Sequence, residues 1–233
     1  MDSDSYIGRR DFIRFISVLS ASIIIPHSSI EAKEVEKLLD NEDREGFYIR
    51  FINPIRPLDP RKWTLQVGGL CENPRSFHLH DLKKLEKVTQ VSRLKCVESW
   101  SSKAKWGGFR PKVLFDIVKP KKEAGYLYLY SEDKYYEFIP IQDLLHPRTL
   151  FAYEMDDRPL PDVHGGPLRL IVPPKYGYKS VKTILRLEFV EKEQKGYWAK
   201  WGYSNEATIQ PGLDYALDLK DFRKVDKPGE LNY

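Results

Sequence analysis

The sequence predicts an α+β domain built mostly from short mixed strands with a few short helices. Two observations carry this. Segments in which apolar and polar residues alternate outnumber helix-period segments, and the two kinds do not follow each other in a regular strand–helix rhythm. Proline and glycine break the chain often enough to keep each segment short. At 233 residues the chain is long enough to bury one sizeable core, in one or at most two domains.

In chain order, Gly8-Arg9-Arg10-Asp11-Phe12-Ile13-Arg14 precedes a modest apolar run from Phe15 to Pro26. A paired arginine before such a run has the form of a twin-arginine export signal, assigned to 1–32, and implies a periplasmic protein exported folded. An amphipathic N-terminal helix is the alternative. The run falls short of the roughly 18–20 apolar residues that span a bilayer. Residues 33–45 are charged without apolar periodicity and read as a linker, leaving 46–233 as the globular domain.

Within that domain Trp63, Leu65 and Val67 alternate with polar neighbours, predicting a half-buried strand that ends at Gly68-Gly69. Leu82, Leu85 and Val88 fit a short helix opened by Asp81. Ser92, Leu94 and Cys96 share one face of the next strand, with Cys96 near its end. Val113–Val118 reads as a helix started by Pro111. Tyr126–Tyr130 alternates cleanly, and further strands are expected at Tyr135–Ile139, Leu150–Met155, Leu168–Val172 and Ile184–Val190. A helical turn at Ile141–Leu145 stops before Pro147. The aromatic segment around Tyr197, Trp198, Trp201 and Tyr203 is expected to pack back on the core.

Composition excludes several functions. Lys and Arg number 38 against 34 acidic residues, a net +4, and the signs are interleaved, so no basic stripe for nucleic acid exists. Local basic clusters would suit a small anionic ligand. Two cysteines, Cys71 and Cys96, are too few for a four-cysteine zinc site or an iron–sulfur cluster, and no Cys-x-x-Cys-His haem motif occurs. They form either one disulfide or two free thiols.

Three constellations carry chemistry. In Arg93-Leu94-Lys95-Cys96-Val97-Glu98-Ser99-Trp100, two cations before a cysteine would lower its pKa and favour the metal-binding thiolate. Taken alone, Cys96 is equally a small core residue. In His164-Gly165-Gly166-Pro167-Leu168-Arg169, the glycines permit close backbone approach to a ligand and Arg169 can grip an oxyanion with two parallel hydrogen bonds. Alone, this is a glycine-rich turn before a buried strand. In Lys175-Tyr176-Gly177-Tyr178-Lys179-Ser180-Val181-Lys182, lysines and backbone N–H groups could cradle a phosphate, and the glycine spacing is not that of a P-loop. Alone, it is a solvated basic turn.

Together, in this order, the three resemble the sulfite oxidase family of molybdopterin enzymes, which includes sulfite oxidases and periplasmic protein-methionine-sulfoxide reductase catalytic subunits. The likeness runs from about Phe47 to Phe189. Leu150–Met155 with Arg158–Pro161 resembles the first branch; Cys96–Trp100 and Lys175–Lys179 look more like the second. The resemblance implies a sulfite oxidase-type fold and a pterin-dithiolene molybdenum cofactor, with Cys96 as the metal's protein ligand. It further implies that His164 and Arg169 meet the pterin or its phosphate, that Ser180, Val181 and Lys182 hold the phosphate, and that Tyr48, Arg50 and Ser131 contact the cofactor. Arg50, Lys105 and Tyr153 match the positions of the sulfite pocket, Lys105 standing where an arginine is usual. Sulfite oxidation is therefore the expected reaction, with sulfoxide reduction the alternative and a separate cytochrome-type protein the electron partner. A non-catalytic module stapled by a Cys71–Cys96 disulfide is the reading from a different class.

Overall fold

A computed structural model describes residues 47–233; the export signal expected at 1–32 and the linker at 33–45 lie outside them. A five-stranded sheet is made of β1 (Thr64–Gly69), β2 (Arg75–His78), β5 (Tyr126–Ser131), β6 (Tyr136–Pro140) and β10 (Ile184–Val190), in the order β2-β1-β10-β5-β6. Its alternation is the one read from the sequence. Leu65, Val67, Leu127 and Leu129 point inward, while Tyr126, Tyr128 and Tyr130 stay half-buried on the outer face. In β10 the register slips between Ile184 and Arg186, and this bulge keeps Ile184, Leu187 and Phe189 all buried despite their uneven spacing.

The second sheet contains β3 (Val88–Lys95), β4 (Trp100–Phe109), β7 (Leu150–Met155), β8 (Arg158–Pro159), β9 (Arg169–Ile171), β11 (Gly212–Ala216) and β12 (Asp221–Val225). β4 is its centre. β3 covers one edge, while β11 and β7 share the other. The sequence reading missed β4, and its composition explains why. Buried on both faces, it lacks alternation, and it holds two glycines. Gly108 is required there, because a Cβ would overlap the Phe151 carbonyl of β7. β2, β8, β11 and β12 were also unanticipated; all are short.

Among the described residues three α-helices complete the frame: α1 (Leu79–Leu82), α2 (Pro111–Val118) and α3 (Ile141–Leu144). α2 starts on its proline, buries Leu114, Phe115 and Val118, and stops at Lys119 in the left-handed region. α1 corrects the expectation at Asp81, which lies in the helix rather than before it and whose carboxylate accepts from the His78 N–H at 3.3 Å. Val88 already belongs to β3. Among the described residues three apolar clusters result, a small one of Ile209, Val225 and Leu231 and two large ones. One fills the space between the five-stranded sheet, α2 and one face of β7–β9; the other packs Phe47, Leu94, Trp106, Leu150 and Ile171 on the opposite face. Cys71 and Cys96 are both free thiols, which removes the disulfide-stapled module.

Candidate functional site

The β3–β4 hairpin pairs from Val88–Gly108 at one end to Lys95–Ser101 at the other, and Cys96–Ser99 make its turn. The Cys96 N–H donates to the Trp100 carbonyl at 2.8 Å, and Ser99 takes a φ of 65°. Side chains alternate along a strand, so Arg93 and Lys95 leave β3 on the side opposite Leu94 and Cys96. There Arg93 forms a two-bond ion pair with Asp218 at 2.6 and 2.9 Å, and Lys95 pairs with Asp214 at 2.6 Å. The expectation that these cations depress the Cys96 thiol is therefore corrected. Burial, together with the Glu98 carboxylate 3.7 Å from Sγ, pushes the thiol up to about 12.

Glu98 also organises the rim around Cys96. Its Oε2 lies 3.7 Å from an Arg50 nitrogen and accepts from the Trp100 indole N–H at 3.3 Å. The Tyr48 ring meets Trp100 edge-on at 5.2 Å, and the Arg50 guanidinium lies 6.0 Å from the Tyr48 centroid. Tyr48, Arg50, Glu98 and Trp100 thus frame the thiol.

Inward from Arg50 the charge becomes predominantly positive, with the Asp133 carboxylate the opposing charge on Lys182. Lys182 donates to the Arg50 carbonyl at 2.6 Å and stands 3.5 Å above the Phe51 ring. Burial and the Arg169 charge lower it to about 7. Arg169 is buried over Trp106 at 5.0 Å, its terminal nitrogens donating to the carbonyls of His164 at 2.7 Å and Ser180 at 3.3 Å. Its Nε has no partner, and burial without an opposing charge lowers the guanidinium to about 9. The expected two-pronged grip is therefore corrected: both prongs already brace the backbone.

His164 packs edge-on to Phe47 at 5.7 Å. Ser131 donates to the Lys182 carbonyl at 2.6 Å, and Ser180 accepts from the Val172 N–H at 3.0 Å, so both hydroxyls hold backbone. The Val181 carbonyl accepts from Leu170 at 2.8 Å. The glycines are spent internally too: Gly165 lies against Lys182 and Gly166 against the Leu160 carbonyl. Of the three lysines expected in a cradle, Lys175 pairs with Asp143 at 3.0 Å and Lys179 with Glu137 at 2.6 Å, leaving Lys182.

Lys105 and Tyr153 are not brought to Cys96. Lys105 pairs with Val91, four residues down the ladder from Lys95, about 13 Å at roughly 3.3 Å per residue. Its ammonium binds Asp157 at 2.8 Å. Tyr153 bulges from β7 beside Gly107–Gly108, at the far end of the hairpin and about 20 Å away on the same measure. Its ring sits under Lys83 at 5.6 Å and beside Phe109 at 6.5 Å. Both are corrected as members of a pocket at Cys96.

Sequence reasoning missed Asp133, Trp106, Asp214 and Asp218. Asp133 accepts from the Ile52 N–H at 2.9 Å, and its carbonyl accepts from Asn53 at 2.7 Å, tying the chain just after Arg50 to the β5–β6 turn. A polar turn after an alternating strand was its only signal; the other three had none.

The residues fit an anionic, metal-bearing cofactor. A buried arginine whose Nε has no partner, close to a buried lysine, can take an anion. Among the described residues no group of three or more His, Cys, Asp or Glu could hold a metal. A metal at Cys96 would then take most of its ligands from its cofactor, as a dithiolene supplies.

The family described as Oxidoreductase molybdopterin binding domain matches residues 52–198. The chain is 33% identical over 211 residues to the protein-methionine-sulfoxide reductase catalytic subunit MsrP of Xanthomonas axonopodis pv. citri, covering 79% of this chain and 65% of that protein. It is 24% identical over 247 residues to MsrP of Campylobacter jejuni, covering 90% and 83%. Among solved structures, the sulfane dehydrogenase SoxCD from Paracoccus pantotrophus is similar with a TM-score of 0.59 at 19% identity, over 76% of this chain and 48% of that one. That likeness is one of fold. The chain spans just under two thirds of the length of the Xanthomonas relative.

Proposed function

Because the chain belongs to the oxidoreductase molybdopterin binding domain family, we propose that it reduces a sulfoxide carried on a peptide or protein, with Cys96 as the thiolate ligand of the bound molybdenum. The sulfite oxidation expected from sequence is set aside, since its second cation and its tyrosine stand far from Cys96. When bound, the cofactor supplies two-electron oxygen-atom transfer at sulfur. Arg169, through its unpartnered Nε, and Lys182 would hold its anionic end, by charge-assisted bonds of about 1.5–3 kcal/mol each.

One observation carries the choice of substrate: Glu98 stands 3.7 Å from both the thiol sulfur and Arg50. A carboxylate at the rim repels sulfite, by at most roughly 3 kcal/mol per unit charge at about 6 Å and an effective dielectric near 20, before the offset from Arg50. A neutral sulfoxide meets no such penalty. Arg50, well exposed, can donate to the S=O oxygen, and the Tyr48 and Trp100 rings offer aromatic contact to the thioether. The overall change is sulfoxide plus two protons and two electrons giving thioether and water. The electrons come from a separate electron-transfer protein, of the cytochrome type expected from the sequence. The same reading places the protein in the periplasm, exported through its Arg9-Arg10 signal.

The test is a pair of steady-state assays on cofactor-loaded protein: methionine sulfoxide in an oxidised protein with a reduced viologen dye, and sulfite with ferricyanide. Sulfoxide turnover is expected to exceed sulfite turnover by orders of magnitude. Sulfite turnover without sulfoxide turnover overturns the proposal.

A further inference from the structure

Behind Cys96 lies a buried charge cluster that the site described above does not use. β11 runs parallel to the start of β4, and its neighbourhood donates from Tyr215 to the Ser99 carbonyl and from Leu217 to the Ser101 carbonyl, each at 2.9 Å. Asp214, wholly buried, accepts from Lys95 at 2.6 Å, from the Tyr233 hydroxyl at 2.6 Å and from the Ser101 hydroxyl. Arg93 donates to the same Ser101 oxygen at 3.2 Å, to the Tyr233 carbonyl at 3.0 Å and to Asp218. Lys95 and Ser101 are the last residue pair of the β3–β4 hairpin. One carboxylate therefore grips both strands at the root of the turn that presents the thiol.

We propose that Asp214 is a positioning residue for the Cys96 sulfur, and that residues 212–233, beyond the family-matched span of 52–198, complete the ligand's support. This rests on the reading of Cys96 as the metal's thiolate. A turn closed by the Cys96–Trp100 hydrogen bond, with Ser99 in the left-handed region, has little stiffness of its own. Buried ion pairs are a poor way to gain stability, since apolar side chains of similar volume do as well or better. Two of them at this root make sense as a geometric clamp, because a metal ligand works only within narrow limits of position.

The experiment uses cofactor-loaded protein with Asp214→Asn, which removes the charge and keeps the shape, and Tyr233→Phe, which removes one bond at a partly exposed ring. The readout is the visible sulfur-to-metal charge-transfer band, whose energy follows the orientation of the cysteine sulfur. The band is expected to shift in Asp214→Asn, with kcat down about tenfold and KM little changed, and to shift less but in the same direction in Tyr233→Phe. Without cofactor, and in a Cys71→Ser background, iodoacetamide should alkylate Cys96 several-fold faster once Asp214 is replaced, on the same loosening of the turn. An unshifted band at full cofactor content, in either variant, overturns the role of Asp214. If Asp214→Asn does not fold, Tyr233→Phe decides alone. Cys96→Ser is the control for the underlying reading: a band that survives it means that Cys96 is not the ligand, whatever Asp214 does.

Discussion

The bare backbone of Gly165 lies against the stem of Lys182 so closely that a methyl group there would stand 2.8 Å from the Lys182 Cβ. Gly165 also holds a φ of 104°, which L side chains avoid. Gly165→Ala is therefore expected to cost about 1–3 kcal/mol and to push the Lys182 ammonium from its place over Phe51. Urea denaturation measures the first effect, and pterin content after purification the second. Wild-type values for both would show that the contact is idle.

Lys182 makes the stability of the cofactor-free protein depend on pH. Burial and the neighbouring Arg169 lower it to about 7 from an ordinary value of 10.5. Between those values the unfolded chain binds a proton that the folded chain does not, so stability rises with pH across that window and is flat below it. Lys182→Met should remove that rise, read as the difference between the two proteins' denaturation curves from pH 7 to 10. Parallel curves would refute the assignment.

Glu137 and Lys179 form a buried pair at 2.6 Å that anchors the 177–179 turn, whose Gly177 lies against the Lys95 carbonyl. Glu137→Gln strands a buried ammonium and should cost about 3–5 kcal/mol. Combining it with Lys179→Met should recover most of the loss, and a double-mutant cycle in denaturant gives the coupling. Additive losses would mean that the two groups act independently.

Arg50 and Tyr153 should separate in kinetics. Arg50→Ala is expected to raise the KM for a sulfoxide severalfold, by removing a donor to the substrate oxygen. Tyr153→Phe and Lys105→Ala should leave kcat/KM within about twofold, because neither side chain reaches Cys96. A large kcat loss in Tyr153→Phe would return that tyrosine to the site.

The legible part of the molecule was local. β1, β5 and α2 were readable because each buries one face of a regular repeat, and the spacing of Leu127 and Leu129, or of Leu114, Phe115 and Val118, records it. β4 was illegible for the complementary reason, since a strand buried on both faces and carrying glycines leaves no repeat. The order of the three motifs was enough to identify the family, and Arg50 lies between Glu98 beside Cys96 and Lys182.

What the sequence by itself determined is therefore which residue types are present, in which order, and which faces of which segments are apolar. Only the tertiary structure decided which charges meet. Arg93 and Lys95 are adjacent to Cys96 in the chain, yet the pleat turns them to Asp218 and Asp214, more than a hundred residues away in sequence. Lys175 and Lys179 look like partners of Lys182 until Asp143 and Glu137 claim them. Electrostatic pairing depends on distance in space and on burial, and a strand's alternation sends neighbours in the chain to opposite surfaces. That is why the pairing of these cations was decided by folding rather than by spacing.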